Sequence, residues 1–156
     1  MSIVRGRAVS IEIDAPAEAV FAVLADGWTY PAWVVGASHV RDVDERWPAR
    51  GSRLHHSIGP WPLHIEDVTV VLTSRPPTLL ELEARLWPLG AAWVRLELAQ
   101  LGPHRTRVTM TEQARRGPIH LLPKAVQSRV LAPRNRESLR RLAHLTQGRS
   151  DHTAEP

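Results

Sequence analysis

The 156-residue sequence has no cysteine and very little lysine, tyrosine or phenylalanine, with one residue of each of these three types. The absence of cysteine excludes disulfides, thiol catalysis and thiolate metal sites. No stretch approaches the roughly 18 consecutive apolar residues that a membrane span requires, and no basic segment followed by an apolar run marks a signal peptide. The sequence therefore predicts a soluble protein, and a cytoplasmic location is the default expectation.

The composition fits one domain. Hydrophobic residues make up 43% of the chain, which is enough to bury one core but leaves no room for a second. We expect a single domain over residues 1–148 and a disordered polar tail over residues 149–156. The net charge is +4, and Lys124 is the only lysine among 20 basic residues. A monomer and a homodimer are both compatible with this composition.

The sequence lacks the patterns of common catalytic and metal centres. Its eight histidines are scattered without the spacing of a metal site. His55 and His56 are adjacent, so on a strand they would point to opposite faces. A glycine-rich phosphate loop, a nucleophile elbow and an ordered Ser-His-Asp set are also missing. We therefore expect no metal and no cofactor.

The segment from Val9 to Trp33 carries the clearest local signals. Alternation of apolar and polar residues at its start predicts a half-buried strand. Asp14 is expected to cap the following helix, whose first turn tolerates Pro16, and Gly27 is expected to end that helix. The buried stripe of the helix is predicted to consist of Val20, Phe21, Val23 and Leu24.

The middle of the chain has the pattern of antiparallel strands separated by turns. The predicted strands after the first are 37–44, 52–58, 63–74, 80–86, 92–98 and 105–113. In the third of these six, the apolar residues change parity, which predicts a bulge near Glu66 and Asp67. The fourth and fifth alternate most regularly, with one core face and one wet face. In the last strand, Glu112 shares its parity with Val108 and Met110 and is therefore expected to point inward.

The C-terminal third is amphipathic and basic. Pro133 is expected to kink its helix or to split it in two. The arginines are expected to lie on a solvated face, and contact of this face with nucleic acid or a membrane is the alternative. Apolar residues recur every three or four positions in two runs that are predicted to face a core, namely Ile119, Leu122, Val126 and Val130, then Leu139, Leu142 and Leu145.

A family resemblance follows from the segment between Ala15 and Asp26, which reads APAEAVFAVLAD and precedes Trp33. This pattern resembles the opening of the START-like superfamily, also called SRPBCC or Bet v 1-like, and within it the bacterial polyketide cyclase/dehydrase-like proteins. The predicted order of elements extends the resemblance over roughly residues 3–147. The resemblance implies an α+β helix-grip fold, in which a curved seven-stranded antiparallel sheet wraps around a long C-terminal helix and two short helices follow the first strand.

The resemblance also implies a cavity between the sheet and the long helix that binds a lipid, sterol, polyketide, quinone or similar molecule. The candidate catalytic residues are Glu112, Glu66 and His56, because a desolvated carboxylate beside a histidine can serve as an acid/base pair. The candidate ligand-binding residues are Trp33, His56, Trp61, Glu66, Leu82, Met110, Glu112, Leu122 and Val126.

Three functions remain open at this stage. The first is a non-catalytic carrier or sensor of a hydrophobic small molecule. The second is an enzyme resembling polyketide cyclases or aromatases, in which the cavity folds a reactive chain and one candidate residue assists proton transfer. The third is a protein- or ribosome-interaction module that uses the arginine-rich face of the C-terminal helix.

Overall fold

The computed structural model describes residues 8–58, 62, 65–86 and 90–153. Three helices are present in this part of the chain: α1 (Ala17–Ala25), α2 (Tyr30–Trp33) and α3 (Lys124–Thr153). Short 3₁₀ turns occupy Gly27–Thr29 and Pro118–Leu121. The strands are β1 (Ala8–Ile13), β2 (Ala37–Val43), β3 (Arg53–Ile58), β4 (Ile65–Arg75), β5 (Leu79–Leu86), β6 (Gly90–Gly102) and β7 (Arg105–Arg116).

The seven described strands form one antiparallel sheet in the order β1-β7-β6-β5-β4-β3-β2. Strands β1 and β2 therefore lie at opposite edges, and α1 and α2 connect them. Strands β2 to β7 follow one another as neighbours, and α3 packs against β1, α1 and α2. This architecture confirms the predicted helix-grip fold.

The start of α1 differs from the sequence prediction. Asp14 is exposed, and Pro16 occupies the N-cap position without a side-chain cap. The free N–H of Ala17 instead donates to Oε1 of Gln100 on β6, at 2.7 Å. The hydroxyl of Thr106 on β7 donates to the carbonyl of Ala15 at 2.8 Å. The β6–β7 hairpin thus supplies the polar partners of this turn, and the predicted role of Asp14 is wrong. The predicted buried stripe of α1 is confirmed.

The bulge predicted near Glu66 and Asp67 is not found at that place in β4. Pairing between β3 and β4 runs without a shift across Glu66 and Asp67, and the irregularity falls between Val71 and Thr73 in the pairing with β5. Asp67 and Thr69 are buried, so polar residues occupy inward positions on this strand. The prediction from sequence fails here because Val68 is apolar although it lies on the opposite face and is only partly buried.

Helix α3 is continuous from Lys124 to Thr153 and includes Pro133. The prediction of a split helix is wrong, and so is that of a disordered tail for residues 149–153. Near the end of the helix, Arg149 makes an ion pair with Asp26, with 2.7 Å between Nη2 and Oδ2. No helix in the described residues is long and apolar enough to span a bilayer.

The two apolar runs of the C-terminal segment have different environments. In the second run, Leu139 and Leu142 are buried, as predicted. In the first run, Leu122, Val126 and Val130 are 45%, 43% and 61% exposed, so their predicted packing in a core is wrong. Residues 124–130 of α3 contribute no buried side chain.

This difference generates a stability prediction. Leu142→Ala removes a fully buried side chain and is expected to lower the free energy of unfolding by about 2–5 kcal/mol. Leu121→Ala, at a position that is 84% exposed, is expected to change it by less than about 0.5 kcal/mol. Urea unfolding followed by circular dichroism measures both values. Equal small losses would contradict the packing of α3 described above.

Candidate functional site

A partly open cavity of about 190 Å³ lies between α2, the inner face of the sheet and the middle of α3. A void of about 20 Å³ shares part of this lining and is bordered also by Trp33, Leu82, Met110 and Glu112. Most of the lining is apolar, and the polar groups come from few side chains. The cavity residues that matter most for its chemistry are Tyr30, Val34, Val35, His56, Ala84 and Arg134.

Helix α2 brings Tyr30 to the cavity and Trp33 to the adjoining void. Tyr30 and Trp33 are both buried, and their rings meet edge to face with centroids 5.5 Å apart. Pro31 is accepted near the start of this short helix because its missing N–H would have no intrahelical partner there. Gly36, at φ 98°, then turns the chain into β2 with a backbone conformation that favours glycine.

The turn after α2 is fastened to α3 by both backbone groups of Val35. The Val35 N–H donates to Oγ of Ser138 at 3.1 Å, and the Val35 carbonyl accepts from Nε of Arg134 at 3.0 Å. These two hydrogen bonds set the separation between α2 and α3. They therefore fix one wall of the cavity.

Arg134 also makes a deeply buried ion pair. Its Nη1 lies 3.1 Å from Oε1 and 3.0 Å from Oε2 of Glu112. The Glu112 side chain is 2% exposed and that of Arg134 is 28% exposed. Because a buried carboxylate is costly without a partner, Arg134 accounts for the inward position of Glu112. In this arrangement Glu112 is a paired anion rather than a free acid or base.

A hydrogen-bonded chain links three other polar side chains of the interior. Nε2 of His56 lies 2.9 Å from Oγ1 of Thr69. The Tyr30 hydroxyl lies 3.3 Å from the same Oγ1. Nδ1 of His56 is buried and has no hydrogen-bond partner within the described part of the chain. The chain thus ends on a buried ring nitrogen of a residue that lines the cavity.

Burial sets the protonation states of this chain. Removal from water raises the pKa of Tyr30, although Thr69 and the positive charge of Arg134 oppose the shift. The same removal from water lowers the pKa of His56, because the charged form of histidine is the protonated one. The nearby carboxylate of Asp67 only partly offsets this effect. Both side chains are therefore held neutral at neutral pH.

The structure brings together five of the residues that the sequence assigns to the site. The residues that line the cavity or the adjoining void are Trp33, His56, Leu82, Met110 and Glu112. Glu66 does not belong to them, because its side chain is 68% exposed and lies 3.5 Å from Arg41. The inward placement of Glu66 is wrong because β4 has no bulge at that position.

The remaining assigned residues lie elsewhere. Leu122 and Val126 are exposed and are absent from the described cavity lining. The predicted contribution of these two residues to the lining is therefore not supported. Trp61 lies outside the described residues.

Sequence reasoning missed Tyr30, Thr69 and Arg134. Tyr30 was detectable, since it is the only tyrosine and stands within the Trp28–Trp33 segment. Arg134 follows Pro133 in an arginine-rich helix, so nothing in the local sequence separates it from the solvated arginines. No group of three or more potential metal ligands occurs among the described residues.

Comparison with known proteins places this geometry in a family. The family model described as "Polyketide cyclase / dehydrase and lipid transport" matches residues 8–147. No curated protein matches the sequence significantly. The solved structures that are similar have low sequence identity, so they show the fold alone.

One similar structure is a START superfamily protein from Mycobacterium smegmatis, with a TM-score of 0.70 and 15% identity over 92% of this chain and 98% of that one. Another is the Zhui aromatase/cyclase from a Streptomyces species, with a TM-score of 0.72 and 14% identity over 97% and 99% of the two chains. A protein of Nitrosomonas europaea gives a TM-score of 0.73 and 14% identity over 97% and 99%. With a family model that covers nearly the whole domain, the chain belongs to the polyketide cyclase/dehydrase and lipid transport family.

Proposed function

We propose that the protein binds one small hydrophobic or amphipathic molecule in the cavity between the sheet and α3. The observation that carries this proposal is a cavity with mostly apolar walls that is lined by His56, whose Nδ1 is buried and has no hydrogen-bond partner in the described residues. An unsatisfied buried polar atom costs free energy in the empty protein, and a ligand oxygen can satisfy it.

The volume limits the ligand. An apolar cavity of about 150 Å³ is large enough to bind benzene, whereas sites for drug-sized ligands occupy roughly 300–1,000 Å³. At about 190 Å³, this cavity suits a compact molecule of one or two rings, or the end of a longer one. A complete sterol or long acyl chain would need the cavity to enlarge.

The polar groups define how such a molecule would be oriented. If the Tyr30 hydroxyl donates to Thr69 and Thr69 donates to Nε2 of His56, the neutral imidazole carries its proton on Nδ1. That N–H is then a donor for a carbonyl, enol or phenol oxygen. The ligand is therefore expected to carry at least one oxygen, with its apolar part toward Val34 and Ala84.

The second candidate function is a cyclase-like enzyme. It is favoured by the Tyr30–Thr69–His56 chain, because hydroxyl and imidazole groups in contact can transfer a proton to or from a bound ketone. Glu112 supports it less, since Arg134 already pairs with both of its oxygens. Turnover of a linear β-polyketone that is lost in His56→Gln, while ligand binding persists, would establish this second function.

The binding proposal is tested with 2-naphthol, a compact two-ring alcohol. Ala84→Leu adds three carbons at a position that lines both the cavity and the adjoining void. We expect this variant to weaken 2-naphthol binding by about tenfold or more, because a pocket distinguishes even a single added methylene by that factor. Fluorescence titration of the full chain measures the dissociation constants.

Ala99→Leu is the matched control, since Ala99 is an exposed position on β6. It is expected to bind 2-naphthol like the unmodified protein. Equal binding by both variants, or no binding by the unmodified protein, would contradict the proposed site. Native mass spectrometry of protein from a bacterial host then identifies any molecule that copurifies.

The ion pair at the cavity edge gives a second prediction. Arg134→Met leaves the Glu112 carboxylate buried without its partner and is expected to lower the free energy of unfolding by about 3–5 kcal/mol. Adding Glu112→Leu is expected to restore most of this loss, because the double variant has no uncompensated charge. Urea unfolding of both single variants and the double variant measures the coupling. Additive losses would show that the two residues do not act as a pair.

The neutral state of His56 gives a prediction for pH. The pKa of His56 is lowered in the folded protein, so below its unfolded value of about 6.5 the unfolded chain binds more protons. The stability associated with neutral His56 is complete above that pH and is lost as the pH falls toward the lowered folded pKa. The slope for this one group is at most about 1.4 kcal/mol per pH unit.

We expect His56→Gln to remove this part of the acid-dependent loss of stability. His39→Gln, at an exposed position, is the control and should retain it. Urea midpoints between about pH 5 and about pH 7.5 give the comparison. A His56→Gln profile with the full slope of the unmodified protein would mean that another group is responsible.

A further inference from the structure

The segment that leads into α3 and the first turns of this helix expose large apolar side chains. We define the α3 docking face as Leu121, Leu122, Val126 and Val130, which are 84%, 45%, 43% and 61% exposed. Six large hydrophobic residues are exposed in the described part of the chain. These four are among them, and they fall within ten positions. Exposed apolar residues that cluster in this way mark an interaction surface.

The orientation of the helix strengthens this observation. In the same turns Gln127 and Ser128 are partly buried, whereas Val126 and Val130 are exposed. Polar residues thus face the protein and valines face the solvent, the reverse of an ordinary surface helix. Arg129 and Pro133 share the outer face with the two valines, at helical spacings of three and four residues.

The charge around this face has one sign. No acidic residue occurs in the sequence from Gln113 to Arg136. Lys124, Arg129 and Arg136 are exposed, and none has an ion-pair partner in the described residues. The apolar side chains are therefore bordered by cations that are available to an anionic partner.

The chemistry of the face distinguishes between partners. Two copies of the chain packed through it would bring unpaired cations together, which opposes self-association. Single-stranded nucleic acid binding uses aromatic side chains for stacking, and residues 113–153 contain no Phe, Tyr or Trp. Leucine and valine bordered by lysine and arginine fit a bilayer, where apolar side chains enter the acyl boundary and cations contact anionic headgroups.

We propose that the α3 docking face binds reversibly to membranes that contain anionic lipid. Leu131 and Arg134, on the next turns of the same helix, line the ligand cavity. Docking would therefore bring the helical wall of the cavity close to the bilayer, where hydrophobic molecules partition. This last link rests on the proposed ligand-binding function, whereas the docking does not.

The experiment is cosedimentation of the full chain with vesicles of phosphatidylcholine, with and without phosphatidylglycerol. We expect binding only to the vesicles that contain phosphatidylglycerol, with a steep decrease as salt is raised. The double variant Lys124→Gln/Arg129→Gln is expected to lose about fivefold in affinity per charge removed. Val126→Ser/Val130→Ser is expected to lose on the order of tenfold per valine.

Matched controls alter the same residue types elsewhere. Arg46→Gln/Arg50→Gln changes two exposed arginines near β3, and Leu101→Ser changes an exposed leucine at the end of β6. Both should bind vesicles like the unmodified protein, and thermal unfolding confirms that all variants fold. Failure of the unmodified protein to sediment at low salt overturns the proposal, as does equal binding by the docking-face and control variants.

Two further outcomes distinguish membrane docking from self-association and from ligand binding. A dimer detected by light scattering that is lost in Val126→Ser/Val130→Ser, without vesicle binding, assigns the face to a second copy of the chain and overturns the proposal. Vesicle binding that persists in Ala84→Leu, the cavity-filling variant, supports docking even if 2-naphthol binding fails. Docking and ligand binding are thereby tested separately.

Discussion

The ion pair between Glu112 and Arg134 is the interaction on which the arrangement of the interior depends. Glu112 lies on β7 with its side chain almost wholly buried, where an unpaired carboxylate would cost several kcal/mol. The same guanidinium donates through Nε to the carbonyl of Val35. One side chain therefore joins β7, α3 and the turn after α2. Sliding α3 along the sheet would leave a buried charge unpaired, so the width of the cavity is fixed by electrostatics as much as by packing.

The cavity exists because the surfaces that face it are short of large apolar side chains. On β4 the inward positions carry Asp67 and Thr69, and on β5 Ala84 lines the cavity. On α3 the lining consists of Leu131 and Arg134, and the nearby polar residues Asn135 and Ser138 are buried. Oδ1 of Asn135 has no hydrogen-bond partner in the described residues. Small and polar residues on both sides leave space that leucine or phenylalanine would have filled.

The fold could be predicted because each of its elements has a local pattern. Buried and less buried residues alternate over most of β6 and β7, and the α1 stripe is followed by Gly27. The site was harder to predict, because its key contacts join residues far apart in sequence. Glu112 was detectable by parity, but its partner Arg134 is one arginine among many. Glu66 was misplaced because the polar residue Asp67 occupies an inward position next to it. The apolar residues of this strand therefore change parity there, as they would at a bulge, although the pairing has no shift. Whether a charged side chain is buried depends on its partners in the tertiary structure, and the local sequence pattern does not encode these partners.

The environment of α3 changes near Pro133. From Arg134 onward the helix contributes buried residues to the core, and Leu142 is fully enclosed. Before that point its side chains are exposed or only partly buried, and Pro133 removes one hydrogen bond from the helix. Moving the first turns of α3 would therefore expose little additional apolar surface, whereas moving the rest would break the Glu112 pair and open the core. Leu131 lies at this boundary and lines the cavity. A ligand that enters past α3 consequently meets the least resistance beside the turns that carry the exposed valines.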